Sequence, residues 1–424
     1  MIDAANKKAK QLNPGLRASI YYGAMWGLSG FYITFVSINL VQRGVSETQW
    51  GIISALRALT VFLVAPQITR FADKRRSRVK ILRLLLILSA FTLLFFLLPL
   101  KVPGLTIFMV ISAFFSAGTN PMGDGIVVRM VKKYQLEYGR LRLWGSLGFA
   151  VFGTLGGLLW DRIGYSYIYI AGFIGLLLVA WLTGLLEEPE EDAEPQVEVQ
   201  VEINEVQKQD AEKSTPIIGD RKKLIGFLLG DVVLLLFFLA AFFRSASELM
   251  FFSFSGIYIN ALTNSAFFAG LINGGAAILE IPVMLYSQKI IRRFNLQSVI
   301  VFGFFIQTVG MIIFSFTEDP WLMFLGSALR NAGFAFYFVA AVQFIDSRAA
   351  AGYSTTFQGL LSSISWGLAP LIFSPLAGVI YQQWSPRWVF IMSTLFSVVS
   401  MIVMVPVILK LRREKMKEKE ASSI

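Results

Sequence analysis

The sequence predicts an all-α membrane protein whose twelve transmembrane helices form two six-helix bundles. Three observations support this fold class. The chain contains twelve apolar stretches, an acidic segment divides them six and six, and 55% of its 424 residues are hydrophobic. A helix needs about 20 apolar residues to cross a hydrocarbon core of about 30 Å. A transmembrane β-barrel is excluded, because its strands alternate in polarity and stay near ten residues.

Each apolar stretch is long enough for one membrane crossing. The first begins within twenty residues of Met1 and lacks a small-residue cleavage site after a short apolar core. We therefore expect an uncleaved helix rather than a signal peptide. The predicted spans cover residues 16–40, 50–69, 79–99, 105–132, 141–163 and 166–186, then 232–258, 264–288, 296–316, 321–346, 356–380 and 388–410.

The domain organisation follows from the acidic segment between the sixth and seventh spans. Residues 187–220 hold twelve acidic residues against two lysines, a composition typical of a solvated linker. The sequence therefore predicts an N-terminal bundle over 1–186, an acidic cytoplasmic linker over 187–222, and a C-terminal bundle with a basic cytoplasmic tail over 223–424. Two matched halves around a central site are typical of a duplicated transporter.

Lysine and arginine in the short loops predict the orientation of the spans. Alternate loops are rich in basic residues, and the loops between them are nearly bare. By the positive-inside rule both termini are cytoplasmic, which requires an even number of spans. We expect a multi-pass protein of the plasma (inner) membrane. The basic set includes Lys7, Lys8, Lys10, Arg70, Lys74, Arg75, Arg76, Arg78, Lys132, Lys133, Arg140, Lys289, Arg292, Arg293, Lys410, Arg412 and Arg413.

Composition also limits the chemistry of the chain. The net charge of +11 is explained by topology and by anionic lipid headgroups, so no nucleic acid partner is expected. Cysteine and histidine are both absent, and there is no phosphate-binding loop. We therefore predict no enzyme, no cofactor and no metal site. Proton coupling near neutral pH would have to use carboxylates.

The loop between the second and third spans resembles the signature loop of the major facilitator superfamily. It runs Arg70-Phe71-Ala72-Asp73-Lys74-Arg75, with an aspartate followed by basic residues. The match departs from the signature at Thr69 and at Arg76-Ser77, where the superfamily usually has glycine. The resemblance implies the major facilitator fold, and it implies that Asp73 latches helix ends on the cytoplasmic side. For the basic residues around it, positive-inside charge is the simpler interpretation.

The fourth and fifth spans resemble one branch of that superfamily, the branch of lactose permease and the 3-phenylpropionate permeases. The motifs are Asn120-Pro121-Met122-Gly123-Asp124 and Tyr138-Gly139-Arg140-Leu141-Arg142. The resemblance implies that Asp124 and Arg142 pair near the substrate and that Phe149 stacks on it. Glu280 in the eighth span adds to the likeness. Gly333 replaces the carboxylate that lactose permease uses for protons.

Ionisable side chains inside the spans are the best functional candidates on physical grounds alone. Each costs roughly 2.5–3.5 kcal/mol to insert unless it is paired or hydrated, so a shared central cavity is favoured over contact with lipid. Three acids stand against four arginines, which suits an anionic substrate. The seven residues are Arg57, Asp124, Arg142, Arg244, Glu248, Glu280 and Arg330.

Two of these groups have alternative interpretations. Glu280 lies in an apolar stretch, where the uncharged carboxyl is favoured, so it either carries a proton or forms a structural salt bridge to Arg330 or Arg57. Asp124 is a second candidate for the proton. Arg244 and Glu248 are one helical turn apart, which favours an intrahelical pair with a role in structure or gating.

Aromatic residues and the overall pattern complete the hypothesis. Trp26 and Trp366 lie deeper than an interfacial belt and are candidates for lining the cavity. The leading hypothesis is a secondary active transporter, a proton-coupled symporter of a small sugar-like or carboxylate (aromatic acid) solute that works by alternating access as a monomer. The alternatives are proton-coupled efflux of drugs or metabolites and, more remotely, a non-transporting membrane sensor with the acidic linker as its output.

Overall fold

Twelve long apolar helices account for most of the chain. The computed structural model describes residues 12–187, 230–348 and 354–422. Within these ranges twelve helices are long and apolar enough to cross a membrane, which confirms the predicted number. They are α1 (Pro14–Gln42), α2 (Glu47–Lys74), α3 (Arg78–Leu97), α4 (Val102–Tyr134), α5 (Tyr138–Ile163), α6 (Tyr165–Leu185), α7 (Val232–Thr263), α8 (Ala266–Tyr286), α9 (Leu296–Phe316), α10 (Pro320–Arg348), α11 (Thr356–Gln383) and α12 (Pro386–Glu414).

We call α1–α6 the N half and α7–α12 the C half. Six spans precede the predicted linker and six follow it, as expected. Of the predicted linker, residues 187–222, Glu187 alone is among the described residues. The N-terminal lysines also lie outside the described ranges. The domain boundaries therefore remain a prediction.

Glycine allows close approach of helices within each half. A Cβ atom at Gly30 of α1 would lie 2.5 Å from the carbonyl oxygen of Phe149 in α5. In the C half, a Cβ atom at Gly310 of α9 would lie 2.3 Å from the carbonyl oxygen of Gly326 in α10. Since a side chain at these positions would collide with backbone, the glycines set the helix separation in both bundles.

The two halves meet along α2 with α11 and along α5 with α8, and polar contacts join them at one end. The indole N–H of Trp50 donates to the carbonyl oxygen of Ser253 (2.9 Å). The hydroxyl of Thr48 donates to the carbonyl oxygen of Gly378 (3.3 Å). We call this the sealed end and the opposite one the basic end. The sealed end carries the loops 43–46, 98–101, 164, 264–265, 317–319 and 384–385.

Two spans are broken beside candidate residues. In α4 the α-helical segments Val102–Ser116 and Thr119–Tyr134 are interrupted just before Pro121, whose ring cannot follow a regular turn. In α8 a 3₁₀ segment, Gly275–Leu279, precedes Glu280. Glu280 therefore opens a new α-helical segment near mid-depth, an arrangement found at binding sites of transporters.

A carboxylate cluster ties helix ends together at the basic end of each half. In the N half, Glu187 accepts hydrogen bonds from Arg17 (2.9 Å), Lys133 (3.2 Å) and Tyr134 (2.8 Å). These residues belong to the ends of α1, α4 and α6, so the cluster fixes three helices of one half to each other.

The C half has a corresponding cluster, in which one arginine bridges two carboxylates. Arg348 at the end of α10 contacts Asp231, which caps α7, at 3.1 Å and Glu414 of α12 at 3.0 Å. The helices involved are the counterparts of those in the N half. The two halves are thus built alike at the basic end, as expected for a duplicated bundle.

Candidate functional site

Asp124 lies among tyrosines in the N half. The Tyr22 hydroxyl of α1 donates to Asp124 Oδ1 at 2.8 Å, and the Tyr138 hydroxyl lies 3.5 Å from that of Tyr22. Gly123 makes room for a third ring, since a Cβ atom there would lie 2.4 Å from the Tyr21 hydroxyl. The result is a half-buried carboxylate that is hydrogen-bonded but carries no ion pair among the described residues.

Arg142 presents its guanidinium beside this carboxylate. Its Cζ atom lies 4.5 Å from the centroid of the Trp26 ring, a cation–π contact. Gly145 permits the contact, because a Cβ atom there would lie 2.8 Å from both Arg142 Nη1 and the Trp26 ring. Arg142 interacts electrostatically with Asp124. In the part of the chain that the structure describes, however, no ion pair or hydrogen bond occupies its five N–H donors.

Glu280 faces Arg142 from the C half. Its side chain is 9% exposed, and its Oε2 atom accepts a hydrogen bond from the Ser146 hydroxyl at 3.3 Å. It interacts electrostatically with Arg142 and with Arg330, yet no basic group comes within ion-pair distance of it in the described ranges. Glu280 is therefore a buried carboxylate at the contact between the halves, and it has no salt bridge to any residue that the structure describes.

Glu248 of α7, unlike Glu280, forms ion pairs, and its carboxylate is shared by two arginines. Arg330 of α10 forms a close ion pair with Glu248 Oε1, and Arg244 Nη2 lies 3.6 Å from Oε2. Gln307 of α9 links the group, as its side-chain oxygen accepts from Arg244 Nε at 3.1 Å. Asn331 accepts a hydrogen bond from Arg330 at 2.7 Å.

Aromatic rings enclose the two arginines. Arg244 lies over the rings of Tyr337 (4.5 Å) and Phe334 (5.0 Å), and Arg330 lies over Phe251 (4.4 Å). Both guanidinium groups are buried. The predicted intrahelical pair of Arg244 and Glu248 is present, but the stronger partner of Glu248 comes from another helix.

Together these side chains form a row that crosses from one half to the other with alternating charge. Electrostatic interactions link each member to the next. Six of the seven predicted intramembrane residues belong to it. We call it the charged row, and in order it consists of Asp124, Arg142, Glu280, Arg330, Glu248 and Arg244.

Arg57 of α2 stands apart from the charged row. Its electrostatic partner is Tyr32 of α1, and no carboxylate of the described ranges pairs with it. Anion binding by Arg57 stays a prediction.

Two predicted aromatic residues differ in their surroundings. Phe149 is half-buried in α5, and its backbone packs against Gly30 of α1. Trp366 is 62% exposed and lies in a π-helical turn of α11, Ile364–Leu368. Its neighbour Ser365 contacts Ser245 of α7, and Gly367 contacts α2.

Asp73 contacts its own loop. Its Oδ1 atom accepts a hydrogen bond from Arg78 Nε at 2.5 Å. Asp73 lies in the last turn of α2 and Arg78 is the first residue of α3, so the pair bridges the α2–α3 connection at the basic end of the N half. In this state Asp73 holds that loop together.

Sequence reasoning gave no role to Ser146, Gln307 or Asn331, which hydrogen-bond to members of the charged row. They are small or amide side chains in long apolar spans. The one available signal was their polarity, which is shared by many other residues of these helices.

Comparisons with known proteins agree with this architecture. A model of the MFS_1-like family matches residues 16–392. Maltose permease of Geobacillus stearothermophilus is 23% identical over 91% of this chain and 92% of its own length. A probable 3-phenylpropionic acid transporter of Escherichia coli is 24% identical over 83% and 87%. The crystal structure of the nucleoside transporter NupG superimposes with a TM-score of 0.72 at 15% identity, covering 94% of this chain and 99% of that one.

Proposed function

Because the chain belongs to the MFS_1-like family of the major facilitator superfamily, we propose that it is a secondary active transporter that carries a small organic solute together with a proton. Family and relatives are transporters rather than enzymes, and the twelve spans make the chain a multi-pass membrane protein. Symport, the proton and the class of solute are the proposal. Alternating access between the two halves is the means.

The observation that carries the proposal is the difference in pairing along the charged row. Glu248 satisfies two arginines, whereas Arg142 and Glu280 face each other across the halves without an ion pair in the described ranges. Leaving a charge inside a membrane protein without a partner is costly unless water or a ligand reaches it. Arg142 and Glu280 are therefore the groups free to bind solute and proton.

Arg142 favours an organic acid as the solute. Its planar guanidinium can donate two parallel hydrogen bonds to one carboxylate. The indole of Trp26 lies against it, so an apolar or aromatic body could pack beside the bound carboxylate. Phe149 lies about two turns further along the same helix as Arg142. Arg57 adds a further positive charge in α2.

A sugar-like solute is the second candidate, and a different observation favours it. Asp124 lies beside the hydroxyl groups of Tyr22 and Tyr138. Such a group of acceptors and donors suits the hydroxyls of a sugar. Competition between an organic acid and a neutral sugar would decide between the two.

Protonation of Glu280 would couple the proton to the solute. A proton on this carboxyl removes the negative charge between Arg142 and Arg330, so Arg142, which has no ion pair in the described ranges, gains affinity for an anion. Solute and proton would then bind together and leave together. Asp124 is the alternative proton site, and a Tyr22 hydrogen bond holds its carboxylate in place.

The proposed orientation places the basic end in the cytoplasm. Lysine and arginine concentrate in its loops, so both termini would be cytoplasmic and the membrane would be the plasma (inner) membrane. The state described here is then closed to the outside. Asp73 would act as a gating residue at the basic end, and Arg244 with Glu248 would hold the C half rigid during the movement. We propose that the transporter works as a monomer.

The test begins with a thermal-shift screen of the purified protein against organic acids, sugars and nucleosides. A stabilising solute is then offered to proteoliposomes with and without an imposed pH gradient. We expect an organic acid to accumulate when the outside is acidic. Equal uptake without the gradient would refute coupling, accumulation driven by the opposite gradient would indicate efflux, and binding without flux would indicate a sensor.

A further inference from the structure

The N-terminus of α8 is capped by the other half of the molecule. Asp161, in the last turn of α5, accepts hydrogen bonds from the backbone N–H of Ala266 (2.5 Å) and of Phe267 (3.0 Å). It also accepts one from the Ser265 hydroxyl at 2.7 Å. Ser265 precedes α8 but makes no capping hydrogen bond of its own. The free N–H groups of α8 therefore depend on a carboxylate from α5.

The equivalent place in the other half is built differently. α2 begins with a complete capping box, in which Ser46 and Gln49 each bond to the other's backbone N–H. From α11, Gln382 adds only a neutral acceptor for the N–H of Thr48, at 3.3 Å. By helix order, α2 and α11 are the counterparts of α8 and α5. Separating the halves would thus leave α2 capped and α8 uncapped.

The backbone near Asp161 is tightly packed. A Cβ atom at Gly157 would lie 2.4 Å from the carbonyl oxygen of Ala266, and one at Gly270 would lie 2.3 Å from the carbonyl oxygen of Gly153. The negative C-terminal end of α5 meets the positive N-terminal end of α8 at this contact. Movement that opens the sealed end must break all three hydrogen bonds of Asp161 together.

We propose that Asp161 is a positioning residue of the transport cycle, which holds the sealed end closed by capping α8 across the two halves. The α5–α8 contact then stabilises the closed state more than the α2–α11 contact does. Opening replaces a charged cap by water at α8, whereas α2 keeps its own cap. This role of Asp161 requires only that the halves separate at the sealed end. It does not depend on which solute or ion is carried.

The absence of cysteine makes the test direct, because spin labels can be attached to introduced cysteines alone. Tyr167→Cys and Trp384→Cys place one label on the N half and one on the C half, both at exposed positions of the sealed end. Pulsed electron resonance on the full chain in lipid nanodiscs then gives the distribution of label distances. The ratio of the long to the short component reports opening.

In this background Asp161→Ala should raise the long-to-short ratio by about five-fold, the size expected for a lost helix cap. Asp161→Asn keeps one acceptor oxygen and should restore part of the closed population. Gln382→Ala is the matched control and should change the ratio by less than about two-fold, since α2 retains its capping box.

An unchanged ratio in Asp161→Ala, or an equal shift in Gln382→Ala, would overturn the proposal. If Asp161→Ala does not yield folded protein, Ser265→Ala removes only the hydroxyl donor and should open the sealed end by a smaller factor. No shift in both Ser265→Ala and Asp161→Asn would also overturn it. Because no solute or pH gradient is used, the result is independent of the proposed symport.

Discussion

The two halves place their intramembrane charges in contrasting environments. In the C half Glu248 lies between two arginines, which are further held by amide side chains and aromatic rings. In the N half Asp124 contacts a tyrosine and Arg142 a tryptophan. Glu280 reaches Arg142 from α8 of the C half, and among the described residues its only hydrogen-bond partner is a serine. Paired charges lock helices together, whereas unpaired ones remain available to ligands. We therefore assign structure to the C-half cluster and binding to the N-half side.

The largest expected effect is on stability. Glu248→Gln would leave Arg244 and Arg330 buried without a carboxylate, which should destabilise the protein by about 3–5 kcal/mol. Asp124→Asn is the matched change in the N half and should cost about 1 kcal/mol, because the amide oxygen can still accept from Tyr22. Thermal unfolding of both variants in detergent measures the difference. Equal losses would remove the contrast between the halves.

The next effect is on binding. Arg142→Gln should weaken solute binding by about ten- to a hundred-fold, since hydrogen bonds to a charged group are lost, without much change in the melting temperature. The affinity of Arg142→Lys should lie between those of the wild type and Arg142→Gln, because an ammonium group keeps the charge but lacks the planar arrangement of donors. Arg140→Gln is the control: Arg140 is 72% exposed and pairs with Glu137 on the surface. Similar losses at both positions would argue against a site at Arg142.

Substitution of Glu280 should separate proton coupling from the conformational change that moves the solute. Glu280→Gln mimics the protonated carboxyl, so solute exchange between the two sides should persist while accumulation driven by a pH gradient is lost. Counterflow and gradient-driven uptake in proteoliposomes measure the two activities. Accumulation that survives the substitution would make Glu280 a structural residue and move the proton to Asp124.

Removing the ring beside Arg142 should have a smaller effect. Trp26→Leu keeps an apolar side chain but loses the cation–π contact, so solute affinity should fall by about ten-fold or less. Titration of the purified variant with the stabilising solute measures this. Affinity that is unchanged would place the solute away from Trp26.

The smallest expected effect is pH-dependent and lies at the basic end. Burial raises the pKa of Glu187, but hydrogen bonds from Tyr134, Arg17 and Lys133 outweigh it, so the pKa lies below its usual value of 4.5. A lowered pKa stabilises the fold above that value, and the contribution is lost as the pH falls through the folded-state pKa. Glu187→Gln should therefore lower the melting temperature at neutral pH and leave it nearly unchanged in strong acid. A constant difference at all pH values would contradict this.

The sequence was sufficient for the twelve spans and for most members of the charged row. Lipid imposes long apolar helices and penalises isolated charges, so both leave a clear pattern in the sequence. Which charges of the row pair with each other was harder to predict from the sequence. Sequence spacing placed Arg244 beside Glu248, whereas the close contact of Arg330 depends on how α7 and α10 pack. The suggested salt bridge from Glu280 to Arg330 is not formed, because Glu248 takes that arginine.

Contacts between the halves were the hardest to predict. The sequence does not single out Asp161, because two of its partners are backbone N–H groups more than a hundred residues away. A backbone donor leaves no trace in the side-chain pattern. The glycines of α5 are typical of close helix packing, but the sequence does not show that they face α1 and α8.

The most direct measurement follows the pH inside proteoliposomes while solute enters. With no pH gradient imposed at the start, the lumen should acidify in step with solute uptake in the wild type. In Glu280→Gln the solute should still enter, and the lumenal pH should stay constant. Solute entry without acidification in the wild type would contradict the claim that Arg142 and Glu280 bind solute and proton together.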